Sequence, residues 1–271
     1  MFKKKIGLAL SGGAVLGFAH LGVIKVLEEL KIPINCVAGT SAGSLIGAFL
    51  ASGFSFDDMK EIGRELGWGK ISRITLPKKG ILDGSLLKKF IEKKTGKKYF
   101  SELLIPFAAV AVDIRTGEEV VLTEGNFAEA VQASCAIPGI FNPLEKEGRL
   151  LIDGGLRNFL PVNACRKLGA DIVIAVNLIP SFKHERKANN LIQILLNAHD
   201  LVVREIALNC EGGDINIIPN LDGFNSYDFS QAEELIERGI EGARKVATRL
   251  KVFSAEIPWW KKIFFRFRKA G

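Results

Sequence analysis

The sequence predicts an α/β fold, a three-layer α/β/α sandwich built around a largely parallel central sheet. Two patterns carry the prediction. Short apolar, β-prone runs alternate with helix-period segments along most of the chain. Glycines and prolines punctuate the junctions between them. Length agrees: 271 residues are enough to bury a full core as one large domain.

The elements follow in order. Residues 4–11 read as a strand that ends at Gly12-Gly13. Residues 18–30 read as a helix, with Val23, Ile24, Leu27 and Leu30 at helical spacing and a stop before Pro33. A strand is expected over 34–38, then a turn through Gly39-Thr40-Ser41-Ala42-Gly43, then a helix of small apolar residues to about Ser52. Residues 55–100 read as helical and basic, with lysine pairs at 78–79, 88–89, 93–94 and 97–98 that mark a solvated face. Residues 107–114 and 120–123 are β-rich, with a hairpin turn over 113–118. A helix at 127–134 precedes a short strand at 150–152, which runs into Asp153-Gly154-Gly155. Pro161 opens a helix to 168. Residues 171–178 form a buried strand, 189–210 a long helix and 215–218 a last strand. Ser230 and Glu233 have the spacing of a capping box for a helix reaching about Lys251. Residues 183–190 are the most loop-like internal segment, and no repeat or low-complexity tract interrupts the pattern.

Composition narrows the function classes. Hydrophobic residues make up 48% of the chain, a normal globular share. No apolar stretch is long and uninterrupted enough for a transmembrane helix. Basic residues 1–5 and apolar residues 6–19 mimic a secretory leader, but Gly12-Gly13 breaks the run and helical periodicity continues through it. A strand, a glycine loop and a helix are therefore expected there. Cys36, Cys135, Cys165 and Cys210 are widely spaced, as expected of small core residues in a reducing compartment rather than disulfides or zinc ligands. The three histidines lack metal-ligand spacing, so neither a metal nor a cofactor is expected. The net charge is +7, yet five of the 37 basic residues follow Glu256, where no acid occurs, so residues 1–258 carry only +2. A nearly neutral body argues against a nucleic-acid partner. The expected organisation is a catalytic domain over 1–252 and a basic, aromatic tail over 253–271, in a cytoplasmic protein.

The chemistry centres on Ser41. A serine between two glycines at a strand-to-helix junction is held out at the top of a sheet with a helix N-terminus behind it. Alone, the pentapeptide fits a glycine-rich structural turn as well as a nucleophile. A nucleophilic serine also needs a base and donors for the oxyanion. The loop from Ser11 to Gly17 lies between the first strand and first helix, where bare glycines let backbone N–H groups approach a ligand. It is not a P-loop, because Phe18 stands where lysine is required, and Ala14 breaks the dinucleotide pattern. An oxyanion loop or a structural βα turn remain. The base is Asp153, at a strand end before two glycines, or a histidine.

These residues, taken together, resemble a bacterial patatin-like phospholipase over about residues 5–250. The family pattern is a glycine-rich oxyanion loop, then G-x-S-x-G, then Asp-Gly-Gly or Asp-Gly-Ala. The chain has Ser11–Gly17 followed by Ala19-His20-Leu21-Gly22-Val23, then Gly39–Gly43, then Asp153–Gly155. Ala133-Ser134-Cys135-Ala136-Ile137-Pro138-Gly139-Ile140-Phe141 resembles the family's A-S-x-A-x-P-x-x-F stretch. The resemblance implies a Ser–Asp dyad, with Ser41 as nucleophile, Asp153 as base for both acylation and deacylation, and backbone amides near Gly12, Gly13 and Ala14 as the oxyanion hole. It implies a phospholipid, lysophospholipid or other fatty acyl ester as substrate and no catalytic histidine, with His20 packing or hydrogen bonding near the loop. The loop departs from the common G-G-G-x-R-G form: Ala14 replaces the third glycine and Leu16 the arginine.

Residues 259–269 interleave aromatic and basic side chains, which suits peripheral contact with an anionic membrane surface. Two other readings are open. One is an α/β-hydrolase esterase with a Ser–Asp–His triad drawn from Ser41, Asp153 and His184 or His199. The other is a catalytically weak regulatory or adaptor protein that keeps the fold.

Overall fold

A computed structural model describes residues 4–67, 69, 72–74, 79–182 and 186–254. The tail contact expected at 259–269, Lys78 and His184 lie outside the described residues.

Among the described residues, the eight-stranded main sheet has the order β11-β10-β1-β2-β5-β9-β8, with β6 paired to β5. The strands are β1 (Ile6–Leu10), β2 (Cys36–Thr40), β5 (Phe107–Asp113), β6 (Glu119–Leu122), β8 (Leu144–Lys146), β9 (Arg149–Asp153), β10 (Ile172–Val176) and β11 (Ile215–Ile217). β11, β10, β1, β2 and β5 run parallel. β6 and β9 are antiparallel to β5, and β8 is antiparallel to β9. A small second sheet joins β3 (Arg73–Ile74), β4 (Gly80–Asp83) and β7 (Gly139–Phe141).

Helices cover both faces of the main sheet. Leu8, Leu10, Val37, Phe107, Ile174 and Val176 project to one face and join a core with α1 (Phe18–Glu29), α2 (Ala42–Ser52) and α3 (Phe56–Glu65). α4 (Ser85–Thr95) and α5 (Phe127–Ser134) extend this layer. Each fully buried Leu or Ile there contributes roughly 1.5–3 kcal/mol of burial free energy. The alternate positions Ala9, Cys36, Ala38, Ala108, Val173 and Ala175 are smaller and admit the short helix α6 (Val162–Lys167) closely. The long helix α7 (Leu191–Asn209) continues on that side, setting Val203 and Ala207 against Phe159. α8 (Ala232–Lys245) crosses α1 where Gly22 and Gly239 meet, and a Cβ on either would lie 1.9 Å from the other helix's backbone oxygen. α9 (Ala247–Lys251) is the last described element.

Most expected elements are present, with three corrections. β2 begins at Cys36, because Asn35 is used outside the ladder, its side chain accepting from Ile6 N–H. Residues 55–100 are not continuously helical: α3 and α4 are separated by β3 and β4. α3 starts at a capping box between Ser55 and Asp58, whereas Gly80 pairs with Gly139 so closely that a Cβ would meet the Phe141 backbone at 2.5 Å. The third correction concerns Ser230, whose N–H and hydroxyl both donate to Asp228, which caps a 3₁₀ turn over Phe229–Gln231. Glu233 instead pairs with Lys60. The basic stretch behaves as a solvated, ion-paired face: Lys79 meets Glu145, Lys88 meets Glu129, and Lys94 meets Glu65. All four cysteines are free.

Candidate active site

Ser41 occupies a one-residue corner between β2 and α2, with φ 50° and ψ −122°. An L-residue rarely adopts this conformation, and such strain costs about 1–3 kcal/mol. The flanking glycines are forced by close approach. A Cβ on Gly39 would sit 2.3 Å from Gly43 O, and one on Gly43 would sit 2.2 Å from Leu10 O. The corner is anchored from below: Ser41 N–H donates to Ser134 Oγ (2.8 Å), whose hydroxyl donates to Val110 O (2.5 Å). Thr40 Oγ1 donates to Asn158 O (2.8 Å). Ser134 falls in the quoted A-S-x-A stretch, but its role depends on a contact 93 residues away, beyond the reach of local pattern. Ser134→Ala is expected to lower kcat on an ester about tenfold and stability by about 1–2 kcal/mol, because it strands a buried N–H. Denaturant melts and initial rates measured together check this.

Asp153 reaches the same place through strand register. The consecutive β5 residues Val110 and Ala111 pair with Thr40 and Asp153, so the ends of β2 and β9 meet along one side of β5. Asp153 is fully buried. Oδ1 accepts from Gly155 N–H (2.7 Å), while Oδ2 makes no hydrogen bond to the described residues. Gly154 is required because a Cβ would lie 2.2 Å from Val110 O. Burial pushes the carboxyl above the usual carboxylate range; His199, the nearby Ser41 hydroxyl and Gly155 N–H pull it back, and Asp200 adds to the rise. Ser41 and Asp153 are thus neighbours without a formed hydrogen bond, and such contacts commonly tighten when substrate binds.

The glycine loop runs beside Ser41. A Cβ on Gly12 would be 3.6 Å from Ser41 Cβ, and one on Gly17 would be 2.8 Å from Ala42 Cβ. Gly12 is not a free donor, because its N–H is given to Phe159 O (3.1 Å). Val15 N–H is given to Ser226 O (2.9 Å). Among the described residues, the N–H groups of Gly13, Ala14 and Ala42 have no acceptor. Ala42 was not singled out by the sequence, though the residue after a nucleophile often supplies such a donor. Ser11 ties the loop to the sheet, its Oγ accepting from Leu178 N–H (2.8 Å). His20 is buried with Nε2 donating to Ser11 O (2.9 Å), and burial lowers its pKa to about 4, so it is neutral at physiological pH. Leu16, where the family resemblance leads one to expect arginine, is fully buried in the main core.

Ser41, Ala14 and Ala42 open onto a cleft with about 1040 Å³ of empty space, part of it open to solvent. Leu45, Phe49, Met59, Ile62 and Leu87 make its walls apolar, with Gln132 and Asn142 as polar exceptions. Cys135 also lines it, and burial, reinforced by Asp153, pushes its thiol up to about 12. The thiol stays protonated and does not compete with Ser41. No described histidine bonds to Ser41. His199, on α7, has no hydrogen-bond partner on either ring nitrogen among the described residues.

Comparison with known proteins agrees with this architecture. Residues 8–166, more than half of the chain, match the family model described as patatin-like phospholipase. The chain is 36% identical over 183 residues to patatin-like phospholipase domain-containing protein 6 of Mus musculus, covering 64% of this chain and 13% of that protein. It is 32% identical over 181 residues to lysophospholipase NTE1 of Pyricularia oryzae, covering 65% of this chain and 12% of that protein. It therefore spans a small part of the length of these relatives. The crystal structure of VipD from Legionella pneumophila shares the fold, with a TM-score of 0.63 at 16% identity, covering 93% of this chain and 67% of that one. A glycine loop, a strained serine corner and a buried aspartate turn thus converge in a chain that belongs to the patatin-like phospholipase family.

Proposed function

We propose that this chain is a serine acyl hydrolase that cleaves carboxylic esters of phospholipids, lysophospholipids or other fatty acyl compounds through Ser41 and Asp153. The observation that carries the reading is the meeting of a buried carboxylate with a strained serine that lines an apolar cleft. Family membership and the similarity to a protein named lysophospholipase support the lipid ester class.

In the proposed reaction the acyl chain lies along the cleft. Asp153 takes the Ser41 proton as Oγ attacks the ester carbonyl carbon. Negative charge on the carbonyl oxygen is met by the N–H groups of Gly13, Ala14 and Ala42, at the N-terminus of α2. The C–O bond to the alcohol breaks, and that alcohol leaves with the proton from Asp153. Water then attacks the acyl-Ser41 ester, its proton passing to Asp153, and the fatty acid departs as Ser41 recovers its hydrogen.

Hydrolysis of p-nitrophenyl esters from acetyl to palmitoyl tests the reading. The expected result is turnover whose KM falls as the acyl chain lengthens into the cleft, with Ser41 as the residue labelled by a fluorophosphonate. No turnover and no labelling would favour the adaptor reading. The tail at 259–269 is proposed to add peripheral contact with anionic lipid, each basic residue contributing about 1 kcal/mol near such a surface. Deleting residues 258–271 should weaken binding to anionic vesicles and spare cleavage of short soluble esters; unchanged vesicle binding rules the contact out.

A further inference from the structure

Behind Asp153 lies a buried charged cluster that the proposed reaction leaves unused. α7 packs directly on the aspartate turn: a Cβ on Gly155 would be 3.3 Å from Val203 Cγ1. One helical turn before Val203 are His199 and Asp200, whose side chains are only 12% and 4% exposed. Asp200 is fully engaged, accepting from Arg186 Nη1 (2.5 Å) and Tyr227 OH (2.7 Å). Arg186 is itself fixed by Ser181 O (2.9 Å) and by the Phe182 ring. His199 differs. Its Nδ1 is 3.8 Å from Asp200 Oδ1, within ion-pair reach but too far for a hydrogen bond, and neither ring nitrogen has a hydrogen-bond partner among the described residues. Asp153 Oδ2 likewise makes no hydrogen bond to the described residues, and the turn that follows Asp153 packs on α7 one helical turn from His199, where the two charges act on each other. A buried imidazole that makes no hydrogen bond costs stability and calls for a reason.

Charge balance supplies one. The ionisable groups around His199 are Asp200 on its own helix, Asp153 at the end of β9, Arg186 before α7 and Tyr227 after β11. Burial and Asp200 hold the Tyr227 phenol protonated. Arg186 balances Asp200. If His199 were neutral, the Asp153 carboxylate would be an uncompensated buried charge, and protonating it would be the cheapest remedy. An imidazolium makes the four-residue cluster neutral. We propose that His199 is a positioning residue for Asp153, the cationic neighbour that keeps its carboxylate ionised and directed at the Ser41 hydroxyl. This rests on the Ser41–Asp153 reading and concerns neither a triad nor direct contact with substrate.

The test pairs two measurements on the full chain. The first is kcat/KM against pH for a short p-nitrophenyl ester in wild type, His199→Gln, Asp153→Asn and the double variant. Removing the cation should shift the acid limb to higher pH, with about a tenfold loss near pH 6 that recovers near pH 9 and with KM unchanged. In the Asp153→Asn background, His199→Gln should add nothing. The second is an NMR titration of the histidine rings, of which the chain has three. The His199 ring should lose its proton at lower pH in Asp153→Asn than in wild type. An unmoved ring titration overturns the proposal even if no ester is cleaved, and so does a loss of rate equal at every pH. A shifted ring titration together with full activity in Ser41→Ala would instead sink the dyad, and the positioning role with it.

Discussion

Ser41→Ala is expected to reduce ester hydrolysis by about 10³-fold or more while leaving the fold intact, because the acyl-enzyme route needs the hydroxyl. The side chain makes no hydrogen bond that the core requires, and the anchor at Ser134 uses the backbone N–H of residue 41. Alanine keeps that N–H and the strained corner. Ser41→Gly separates the chemistry from the strain. At φ 50° and ψ −122° glycine is at ease, so this variant should be equally inactive yet about 1 kcal/mol more stable than Ser41→Ala. Rates on p-nitrophenyl butyrate and urea melts of the three proteins check both statements. Full activity in Ser41→Ala refutes the nucleophile. Equal stability of the alanine and glycine variants refutes stored strain at the corner.

The corner is also where sequence and structure agree most closely. Gly39 and Gly43 are legible because the reason for them is local: a chain reversing within five residues has no room for side chains beside its own backbone. The same holds for β1, α1 and β10, whose periodicity is strong and whose ends are punctuated. Legibility fails where a partner distant in sequence decides. Residues 55–100 carry a helical composition throughout, yet Gly80–Asp83 becomes a strand because β7, some sixty residues on, offers a parallel edge. Ser230 and Glu233 have capping-box spacing, but Asp228 lies nearer in space to the Ser230 amide and takes it.

The candidate site divides in the same way. Asp153 could be singled out from its Asp-Gly-Gly turn, but its closeness to Ser41 comes from β5 pairing with β2 and β9 at adjacent residues, which no linear pattern encodes. Gly12 reads as an exposed donor because glycine loops often present their amides to ligands. In the fold Phe159 O takes that N–H, and the open donors are the next two residues and Ala42. Leu16 reads as a missing charge. In the fold it is a buried core residue, so the loop is held by apolar packing and by Ser11 rather than by an arginine.

Asp153→Asn should lower kcat by about 10²- to 10⁴-fold, the usual contribution of a positioned general base. The pH dependence gives the sharper test. Burial raises the Asp153 pKa above its ordinary 3.8, so wild-type activity should fall, as pH drops, at a pH above the usual carboxylate range. Stability runs the other way. In the folded chain the carboxyl holds its proton more tightly than in the unfolded chain, so ionising it as pH rises from 3.8 through the raised value costs folding free energy. Asparagine carries no such cost. The variant should therefore be more stable than wild type at neutral pH, with the gain vanishing below the ordinary aspartate value, where both folded and unfolded wild type are protonated. Oδ1 can keep its bond from Gly155 N–H in the asparagine, so the turn itself should survive. Melts at acid and neutral pH decide it. An aspartate retained at a cost to the fold is what a base held for chemistry predicts; an Asp153→Asn variant less stable at neutral pH in the His199→Gln background as well, where no imidazolium is stranded, would make Asp153 a structural turn residue and remove the base from the mechanism.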